Sequence, residues 1–518
     1  MTHIKEIIEN PHWIHTRYSA YWNFLLQSYE GGIDYTGSSI NDGQNTSIWD
    51  SMFNVYVNGK KQEPRVTGNL FIHPKERNDD YAKRLEMSYY YNFCAPILDI
   101  YGNHLFKEPV IENFEELEPD IDEVSEDIDR TGASIQEFRK EMSDLAQLYG
   151  HIFVIIDSPD IPENEIISRQ NQIERKAFPY LTTHYPQNVI NWALDRYGMP
   201  YWVLIREHYD TTKDVTAFDK NKRYGCQYRL WTRESWELYD EKYELIGQGF
   251  HNLGRVPIVC AFDKKSKKVR NFLGVSTLAD IAFIARDIYN SCSELRQILR
   301  DQTFAFLALQ GDTKEYDEVS IGTGKGLLYP EGRNPPQYVS PPPANAEKYF
   351  EHIDRQVSKI FQLAKLEGGS VQQTQSAVEQ SGASKAWDFN ETNSALSEKA
   401  GNLEDAEMKI WAMYAAWQEK EFTGTIQYPT EFSMSSLMDD LTELEKETKL
   451  QLGRTFNVEV RKAIIKKKFP RAPQEDIDKM VKEVEEGLTN ESEAEQLTNR
   501  FGSFFNRTPE MAGQRRGQ

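Results

Sequence analysis

Two segments with the same apolar rhythm organise this chain: residues 281–299 read IAFIARDIYNSCSELRQIL, and residues 346–364 read AEKYFEHIDRQVSKIFQLA. In both segments apolar residues recur at alternating steps of four and three, which places them on one face of an α-helix. The first series is Ile281, Ala285, Ile288, Cys292, Leu295 and Leu299. The second series is Ala346, Phe350, Ile353, Val357, Ile360 and Ala364. Helices of about 20 residues with matched apolar faces can pack together over roughly 30 Å, so we expect these two to pair.

A short insert separates the two predicted helices, and a polar segment follows the second. Residues 304–309, 326–329 and 337–339 are apolar stretches separated by glycines and prolines, which predicts a small β unit. A unit of this size cannot bury a core of its own, so we expect it to pack against a neighbour, most simply a second copy. Residues 367–384 are rich in Gly, Ser, Gln and Thr, which is typical of a mobile loop.

The chain after this loop is predicted to be mainly helical. Apolar residues spaced by seven indicate one helix of about 35 residues, with Gly401 as its weak point. They are Phe389, Leu396, Leu403, Ile410 and Trp417. We then expect a return strand over 427–432, helices over 433–490 and a frayed polar tail over 491–518.

The segment before the paired helices predicts an α+β domain. Residues 1–75 are aromatic and read as irregular, and residues 79–106 read as a helix interrupted by Pro96. A capping box, Ser134 with Glu137, begins a helix that Gly150 ends. Strand patterns follow, with a turn predicted over 247–254, and the sheet is expected to be antiparallel. These strands are predicted at 152–157, 188–192, 201–207, 226–231, 236–238 and 256–260.

Composition narrows the functional class. The chain has 518 residues and a formal net charge of −21, which argues against a protein that wraps DNA tightly through Lys and Arg. It does not argue against a surface along which DNA slides. No apolar run reaches the ~18 residues of a membrane span, and no signal-peptide pattern is present. The widely spaced cysteines favour reduced thiols over disulfides or a zinc site; they are Cys94, Cys226, Cys260 and Cys292.

The sequence contains only incomplete matches to catalytic motifs. Gly322-Thr323-Gly324-Lys325-Gly326 resembles part of a phosphate-binding loop but lacks its first glycine and its final Ser or Thr. Asp157 ends a predicted strand, as a magnesium-holding carboxylate would, but a turn-forming Asp is the simpler interpretation. No histidine pair has metal-ligand spacing. We therefore expect no catalytic residue, metal or cofactor, and a packaging ATPase or nuclease based on Asp157 and Lys325 stays as the alternative.

Several sequence segments resemble those of the portal proteins of tailed bacteriophages. These proteins form the head–tail connector ring at one capsid vertex. Asp80-Tyr81-Ala82-Lys83-Arg84-Leu85, followed by Gly102-Asn103-His104-Leu105-Phe106-Lys107-Glu108-Pro109, is similar to the N-terminal portal helix. Val189-Ile190-Asn191-Trp192 and Asn252-Leu253-Gly254-Arg255-Val256-Pro257-Ile258 also look like that family. The order helix, β insert, helix, loop, long helix is similar to the portal plan over residues 79–490.

The resemblance implies a portal-type division of the chain, which leaves residues 1–75 as an N-terminal extension and 491–518 as a flexible tail. It implies an α/β wing over 76–275, stem helices over 276–300 and 344–366, a β clip over 301–343, a tunnel loop over 367–384, a long wing helix with its return strand over 385–432, and a helical crown over 433–490.

The same resemblance implies a function and a set of partners. Portals are closed rings, usually of about twelve subunits joined head to tail, through which double-stranded DNA passes without sequence preference during packaging and ejection. The implied partners are the large subunit of the terminase, an adaptor or head-completion protein, and the major capsid and scaffolding proteins, with no membrane. We expect synthesis in the cytoplasm of a bacterial host and residence in the virion. Another connector or adaptor ring is the alternative structural role, although such rings are usually much shorter.

Candidate DNA-facing residues follow from this assignment. In the tunnel loop and directly after it they are Gln372, Gln373, Gln375, Gln380 and Lys385. On the stem they are Arg296, Arg300, Lys348, Arg355, Lys359 and Lys365. Neutral and mixed-charge side chains suit a moving DNA backbone, because each neutralised phosphate adds salt-dependent affinity that would slow translocation.

Overall fold

The computed structural model describes most of the chain up to residue 430 and little after it. The described residues are 2–36, 56–57, 60–61, 69–73, 76–159, 169–210, 224–251, 253–269, 271–303, 306–308, 337–339, 343–366, 382–430, 432 and 479–482. The chain forms two compact units, residues 1–106 with 110–430 and residues 107–109 with 431–518. In the second unit, residues 479–482 are helical.

The first unit mixes helices and strands, which confirms the α+β prediction. Its α-helices are α1 Thr2–Glu9, α2 Trp13–Glu30, α3 Gly32–Thr36, α4 Asn78–Met87, α5 Cys94–Leu105, α6 Glu118–Val124, α7 Ile135–Tyr149, α8 Arg169–Glu174, α9 Ile281–Thr303, α10 Pro343–Leu363 and α11 Gly382–Trp417. A 3₁₀-helix spans Glu115–Leu117.

The strands in the described part of the chain form five antiparallel groups. They are β1 Tyr56–Val57, β2 Lys60–Lys61, β3 Ile111–Asn113, β4 His151–Asp157, β5 Tyr180–His184, β6 Val189–Leu194, β7 Pro200–Asp210, β8 Tyr224–Thr232, β9 Ser235–Tyr239, β10 Leu245–Phe250, β11 Ile258–Phe262, β12 Phe306–Ala308, β13 Gln337–Val339 and β14 Thr425–Gln427. The sheets have the orders β10-β9-β8-β7-β6 and β11-β4-β5, with two-stranded ladders β1-β2, β12-β13 and β14-β3.

The five-stranded sheet contains one strand that the sequence analysis assigned wrongly. β10 occupies residues predicted as the turn 247–254 and pairs with β9. Its glycines lie over the Trp236 ring, and a Cβ on Gly249 would come within 2.6 Å of Trp236 Nε1. These glycines therefore make room for an indole ring and do not mark a turn.

The three-stranded sheet carries the core of the unit. Every residue of β4 except Asp157 is buried, as expected for a strand covered on both faces. Helix α7 packs against it, and the predicted capping box is present because Ser134 and Glu137 bond reciprocally. Gly150 ends the helix with φ of 88°, the left-handed conformation that glycine adopts without strain.

The prediction that residues 1–75 are irregular is wrong for the described part of that range. Helix α2 buries Trp22 and Leu25 within the first unit, and the Trp22 ring meets the His151 ring edge-on at 5.6 Å. His15 Nε2 lies 3.0 Å from the Gln187 carbonyl oxygen. The aromatic residues of this segment recur at helical spacing, a period that its many turn-forming neighbours obscured.

Residues 79–106 form two helices instead of one kinked helix. Helix α4 ends at Met87 and α5 begins at Cys94. Pro96 lies in the first turn of α5, where a missing backbone N–H removes no intrahelical hydrogen bond. It therefore helps to begin a helix and does not bend one.

The C-terminal part of the first unit follows the predicted order of elements. Helix α9 begins at Ile281, because residues 277–280 form a turn, and α11 continues through Gly401 for 36 residues. β12 pairs with β13 across the insert. The return strand β14 lies earlier than residues 427–432, at Thr425–Gln427, where β3 offers a pairing edge. The predicted strand 326–329, most of the loop 367–384, and the crown and tail apart from residues 479–482 lie outside the described residues.

Candidate functional site: the paired helices α9 and α10

Helices α9 and α10 pack antiparallel, and polar contacts fix their register. Tyr349 Oη donates to a Glu294 carboxylate oxygen at 2.7 Å, and Gln356 Nε2 donates to Asp287 Oδ2 at 3.0 Å. His352 Nε2 lies 2.9 Å from the same Asp287 oxygen. The hydrogen bonds of Tyr349 and Gln356 give the same register, in which residue 294 lies opposite 349 and residue 287 lies opposite 356.

The apolar face of the pair is buried over most of its length, Leu295 and Ala346 included, but two of its larger side chains are exposed. Ile281, Ile288 and Ile360 are buried. Towards β12 and β13, by contrast, Leu299 is 40% exposed and Phe350 is 51% exposed. The two apolar series therefore extend beyond the surface that the described part of this chain covers.

The end of the pair near Ile360 is tied to the rest of the first unit. Tyr101 Oη donates to the Ala364 carbonyl oxygen, just beyond the end of α10. Burial raises the pKa of Tyr101 to about 12, so the phenol keeps its proton and remains a donor. Thr392 Oγ1 donates to the Lys365 carbonyl oxygen, which joins this end to α11.

Helix α4 and the residues after it cover a different side of α9. Arg84, buried and paired with Glu76 at 2.7 Å, reaches Ser293 Oγ at 3.4 Å. Arg296 donates to the Met87 carbonyl oxygen and lies over the Tyr89 ring at 5.6 Å. Arg300 Nη1 lies 3.3 Å from Met87 Sδ. Tyr89 and Tyr91 are about half exposed, and their hydroxyl oxygens are 2.8 Å apart.

The exposed surface of α10 separates its charges. Lys348, Arg355 and Lys359 are spaced so that they follow one side of the helix, while Glu347, Phe350 and Asp354 follow another. Local contacts hold two of the lysines, because Lys348 pairs with Glu351 at 2.8 Å and Lys359 donates to Gln362 at 2.8 Å.

The structure divides the predicted stem residues into separate groups. Lys348, Arg355 and Lys359 share one side of α10, whereas Arg296 and Arg300 lie on α9. Lys365 is exposed beyond the end of α10, with φ of 52°. The predicted tunnel-loop residues Gln372, Gln373, Gln375 and Gln380, and the side chain of Lys385, lie outside what the structure describes.

The tyrosines beside the two arginines were not among the residues predicted from the sequence. Tyr89 and Tyr91 are about 200 residues away from Arg296 in sequence, and no local pattern connects them. The one indication in the sequence is a run of three consecutive tyrosines, Tyr89 to Tyr91. Only the packing of α4 on α9 brings these groups together.

The candidate catalytic groups form no reactive cluster among the described residues. Tyr180 Oη donates to Asp157 Oδ2 at 2.9 Å, and burial raises the pKa of this carboxyl group. Within the described ranges, no group of three or more His, Cys, Asp or Glu side chains is arranged to hold a metal ion. All four cysteines are free thiols. Residues Gly322–Lys325 lie outside the described part of the chain.

Comparison with known proteins adds one family match and several structural similarities. A family model described as "Domain of unknown function (DUF4055)" matches residues 277–418, the part of the chain that contains α9, α10 and α11. No curated protein matches the chain. Among the described residues, no helix is long and apolar enough to cross a membrane.

The similar solved structures belong to gene transfer agent (GTA) particles. A chain from the virion of a native GTA particle is 11% identical, with TM-score 0.35, covering 68% of this chain and 83% of that chain. A chain from the neck of an empty GTA particle computed with C6 symmetry is 10% identical, with TM-score 0.36 and coverage of 68% and 83%. A chain from the neck of a native GTA particle computed with C12 symmetry is 12% identical, with TM-score 0.37 and coverage of 71% and 88%.

Proposed function

We propose that this chain is a structural subunit of a phage-type head–tail particle, and specifically the portal subunit whose copies form a ring around a DNA channel. The observation that carries the proposal is the antiparallel pair α9 and α10, with the ladder β12–β13 formed by the chain between them, followed by the 36-residue helix α11. This is the order of elements that the portal resemblance of residues 79–490 implies.

The exposed surface of the α9–α10 pair supports assembly of the chain into an oligomer. Leu299 and Phe350 expose apolar area at the end near β12 and β13. Burial of apolar area gives about 25 cal/mol per Å², so contact with neighbouring copies would stabilise this end. β12 and β13 have three residues each and are too short to form a core. Both features suit a subunit whose burial is completed by copies of itself.

The charge distribution supports a channel that guides DNA without holding it. The chain carries a formal charge of −21, which opposes tight binding to DNA. Lys348, Arg355 and Lys359 nevertheless give α10 one basic side. In the proposed ring this side faces the bore, and residues 367–384 form the tunnel loop that contacts DNA in transit.

The remaining assignments complete the proposed role. The insert 301–343 would meet the terminase large subunit during packaging and an adaptor or head-completion protein afterwards. Residues 433–490 would lie inside a capsid built from major capsid and scaffolding proteins. We propose a ring of about twelve copies, located at one vertex of the virion and without catalytic activity.

Electron microscopy of the purified full-length chain tests the proposal. Negatively stained particles should be rings with a central hole, and mass photometry should give one dominant mass corresponding to a closed oligomer. The full chain should be measured over a range of protein and salt concentrations, since assembly follows mass action. A chain that remains monomeric under every condition would contradict the portal assignment.

The enzymatic alternative depends on Asp157 and Lys325 and is tested separately. ATPase and nuclease activities should be assayed in the wild-type chain, with Asp157→Ala and Lys325→Ala as controls. We expect no hydrolysis above background. Hydrolysis that either substitution abolishes would instead favour a packaging enzyme.

A further inference from the structure

We infer that copies of this chain associate head to tail through two oppositely charged flanks of the α9–α10 pair. The arginine flank consists of Arg296 and Arg300 with Met87, Tyr89 and Tyr91 beside them. The acidic flank consists of Glu347, Phe350 and Asp354 on α10. The inference rests on the proposed ring and names the surface by which its subunits meet.

The arginine flank lies on the side of α9 that faces away from α10. Asp287 and Glu294 contact α10, whereas Arg296 and Arg300 contact Met87, which ends α4. Residues 294 and 296 are two positions apart, and residues at this spacing point to different sides of a helix. Arg296 and Arg300 are exposed despite these contacts, so their guanidinium groups remain accessible to another molecule.

The acidic flank lies on a part of α10 that makes none of the described hydrogen bonds to α9. Glu347, Phe350 and Asp354 are spaced by three and four, so they form one line along the helix. All three are exposed, and neither carboxylate forms an ion pair with a residue that the structure describes. The hydrogen bonds to α9 come from Tyr349, His352 and Gln356 instead.

The register of the pair places the two flanks at the same height. Residue 294 lies opposite 349, and the helices run antiparallel, so Arg296 lies level with Glu347. A second copy rotated about an axis roughly along the helices would therefore bring its Glu347 to the height of Arg296 in the first. Repeating one such contact between different surfaces generates a ring when the rotation between copies closes, and an open filament when it does not.

The apolar residues near these charges fit a protein partner. Leu299 lies one turn from Arg296, and Phe350 lies between Glu347 and Asp354, and both side chains are substantially exposed. Tyrosine, phenylalanine and arginine are enriched in protein–protein interfaces. Packing of these groups between copies would bury the apolar area that a single chain leaves exposed.

The charges of the arginine flank and the acidic flank fit a second copy of the chain better than they fit DNA. Phosphates would attract the arginine flank, but Glu347 and Asp354 would repel them. Opposite charges on two flanks of one molecule at the same height complement each other only when copies stand side by side. This assignment moves Arg296 and Arg300 from the channel wall to the interface between subunits, and it leaves Lys348, Arg355 and Lys359 for the bore.

Charge reversal of the full-length chain tests the inference. Arg296→Glu and Glu347→Arg should each lower the ring population about tenfold, because like charges would face each other. The double variant Arg296→Glu with Glu347→Arg should restore rings, because the pair is rebuilt with its signs exchanged. Lys242→Glu, in the exposed turn between β9 and β10, is the control with the same size of charge change outside both flanks, and it should leave rings intact.

Thiol cross-linking gives an independent measurement. A chain carrying both Arg296→Cys and Glu347→Cys should form a ladder of covalent oligomers with a bismaleimide whose spacer is as long as an Arg–Glu ion pair, because a direct disulfide would need Cα atoms within about 7 Å. The wild type and each single variant should not form this ladder. Circular dichroism of every variant, compared with the wild type, distinguishes a broken interface from an unfolded chain.

The outcomes distinguish this inference from the proposed function. Wild-type rings that persist in both single charge-reversal variants would overturn the inference and leave the ring intact. Failure of the double variant to recover, with its fold unchanged, would also overturn it. A wild-type chain that never forms rings, together with a double-cysteine chain that gives no cross-linked ladder, would overturn the proposed function together with the inference.

Discussion

Lys399, near the middle of α11, donates hydrogen bonds from its ammonium group to the carboxylate of Asp263, a residue 136 positions earlier in the chain. Lys399 is 9% exposed and Asp263 is 5% exposed. The same ammonium group reaches the Thr277 hydroxyl, and Asn402 Nδ2 donates to the Asp263 carbonyl oxygen at 2.8 Å. This buried ion pair therefore joins α11 to the end of β11 and to the turn that precedes α9.

We predict that Lys399→Met destabilises the first unit strongly. The substitution keeps most of the side-chain volume but leaves the Asp263 carboxylate buried without its cation, which costs about 3–5 kcal/mol. Urea unfolding, followed by circular dichroism at equal protein concentration, measures the change in the free energy of unfolding. Lys265→Ala is the control, because Lys265 pairs with Asp405 at 3.3 Å with both side chains exposed, and the loss should be within about 1 kcal/mol. Equal losses in the two variants would contradict the prediction.

Substitution by alanine should lower the stability of the chain at Gly274 and raise it at Gly401. A Cβ on Gly274 would lie 1.9 Å from the Gly150 carbonyl oxygen, so Gly274→Ala must displace backbone and should cost about 3 kcal/mol, the upper end of the usual range for overpacking. Gly401 is inside α11 with nothing within 4 Å of a built Cβ, so Gly401→Ala should stabilise by about 0.5–1 kcal/mol. Differential scanning calorimetry should show a lower midpoint for the first variant and a higher one for the second. A destabilised Gly401→Ala chain would mean that a side chain at this helix position meets a neighbour.

Acid should destabilise the chain partly through His151. This side chain is fully buried, it accepts a hydrogen bond from the Gly274 N–H at 3.3 Å, and burial lowers its pKa to about 3. The unfolded chain takes up this proton near pH 6.5 and the folded chain does not, so the contribution is complete above about pH 6.5 and is lost as pH falls towards 3.

The variant His151→Asn removes this titration. Its free energy of unfolding should depend less steeply on pH between 6.5 and 4, by up to about 1.4 kcal/mol per pH unit. Unfolding curves at a series of pH values measure the slope, with the value at pH 7 serving as the reference for each chain. Burial also lowers the pKa of His15 and His184 to about 4, so some slope should remain. An identical slope in the two chains would show that His151 is not the titrating group.

The basic side of α10 should set the salt dependence of DNA binding. Replacing Lys348, Arg355 and Lys359 with Gln should leave rings intact and reduce the slope of log affinity against log salt by about one for each phosphate that is no longer neutralised. Fluorescence polarisation with a labelled duplex measures this slope. The control replaces Lys264, Lys267 and Lys268, exposed residues of the loop after β11, with Gln. Equal effects of the two triple variants would mean that only net charge matters.

Shortening residues 368–380 should separate assembly from DNA handling. If this segment is the tunnel loop, rings should form normally, because the proposed subunit interface lies on the α9–α10 pair. DNA packaging or retention should fall, since the Gln-rich surface that meets DNA is removed. Packaging assays and electron microscopy of the same preparation measure both properties, with a Gly/Ser replacement of equal length as the control. Loss of rings in the shortened chain would show that the segment supports the structure.

The amino-acid sequence alone identified the elements whose pattern is local. The steps of four and three in α9 and α10, the spacing of seven in α11, and the Ser134–Glu137 capping box each depend on residues within a few turns. Such patterns were readable because a helix repeats its environment every 3.6 residues. The strands of the large sheet were also recognisable, except β10, whose glycines imitate a turn.

Which of these elements pack together depends on contacts between segments far apart in the sequence. The tertiary structure placed α2 within the core, brought Tyr89 beside Arg296, and buried Lys399 against Asp263. It also separated the predicted stem cations, since Arg296 and Arg300 lie on α9 while Lys348, Arg355 and Lys359 lie on α10. The reason is that periodicity shows which face of an element is apolar, whereas packing against distant segments determines which polar groups share the remaining surface.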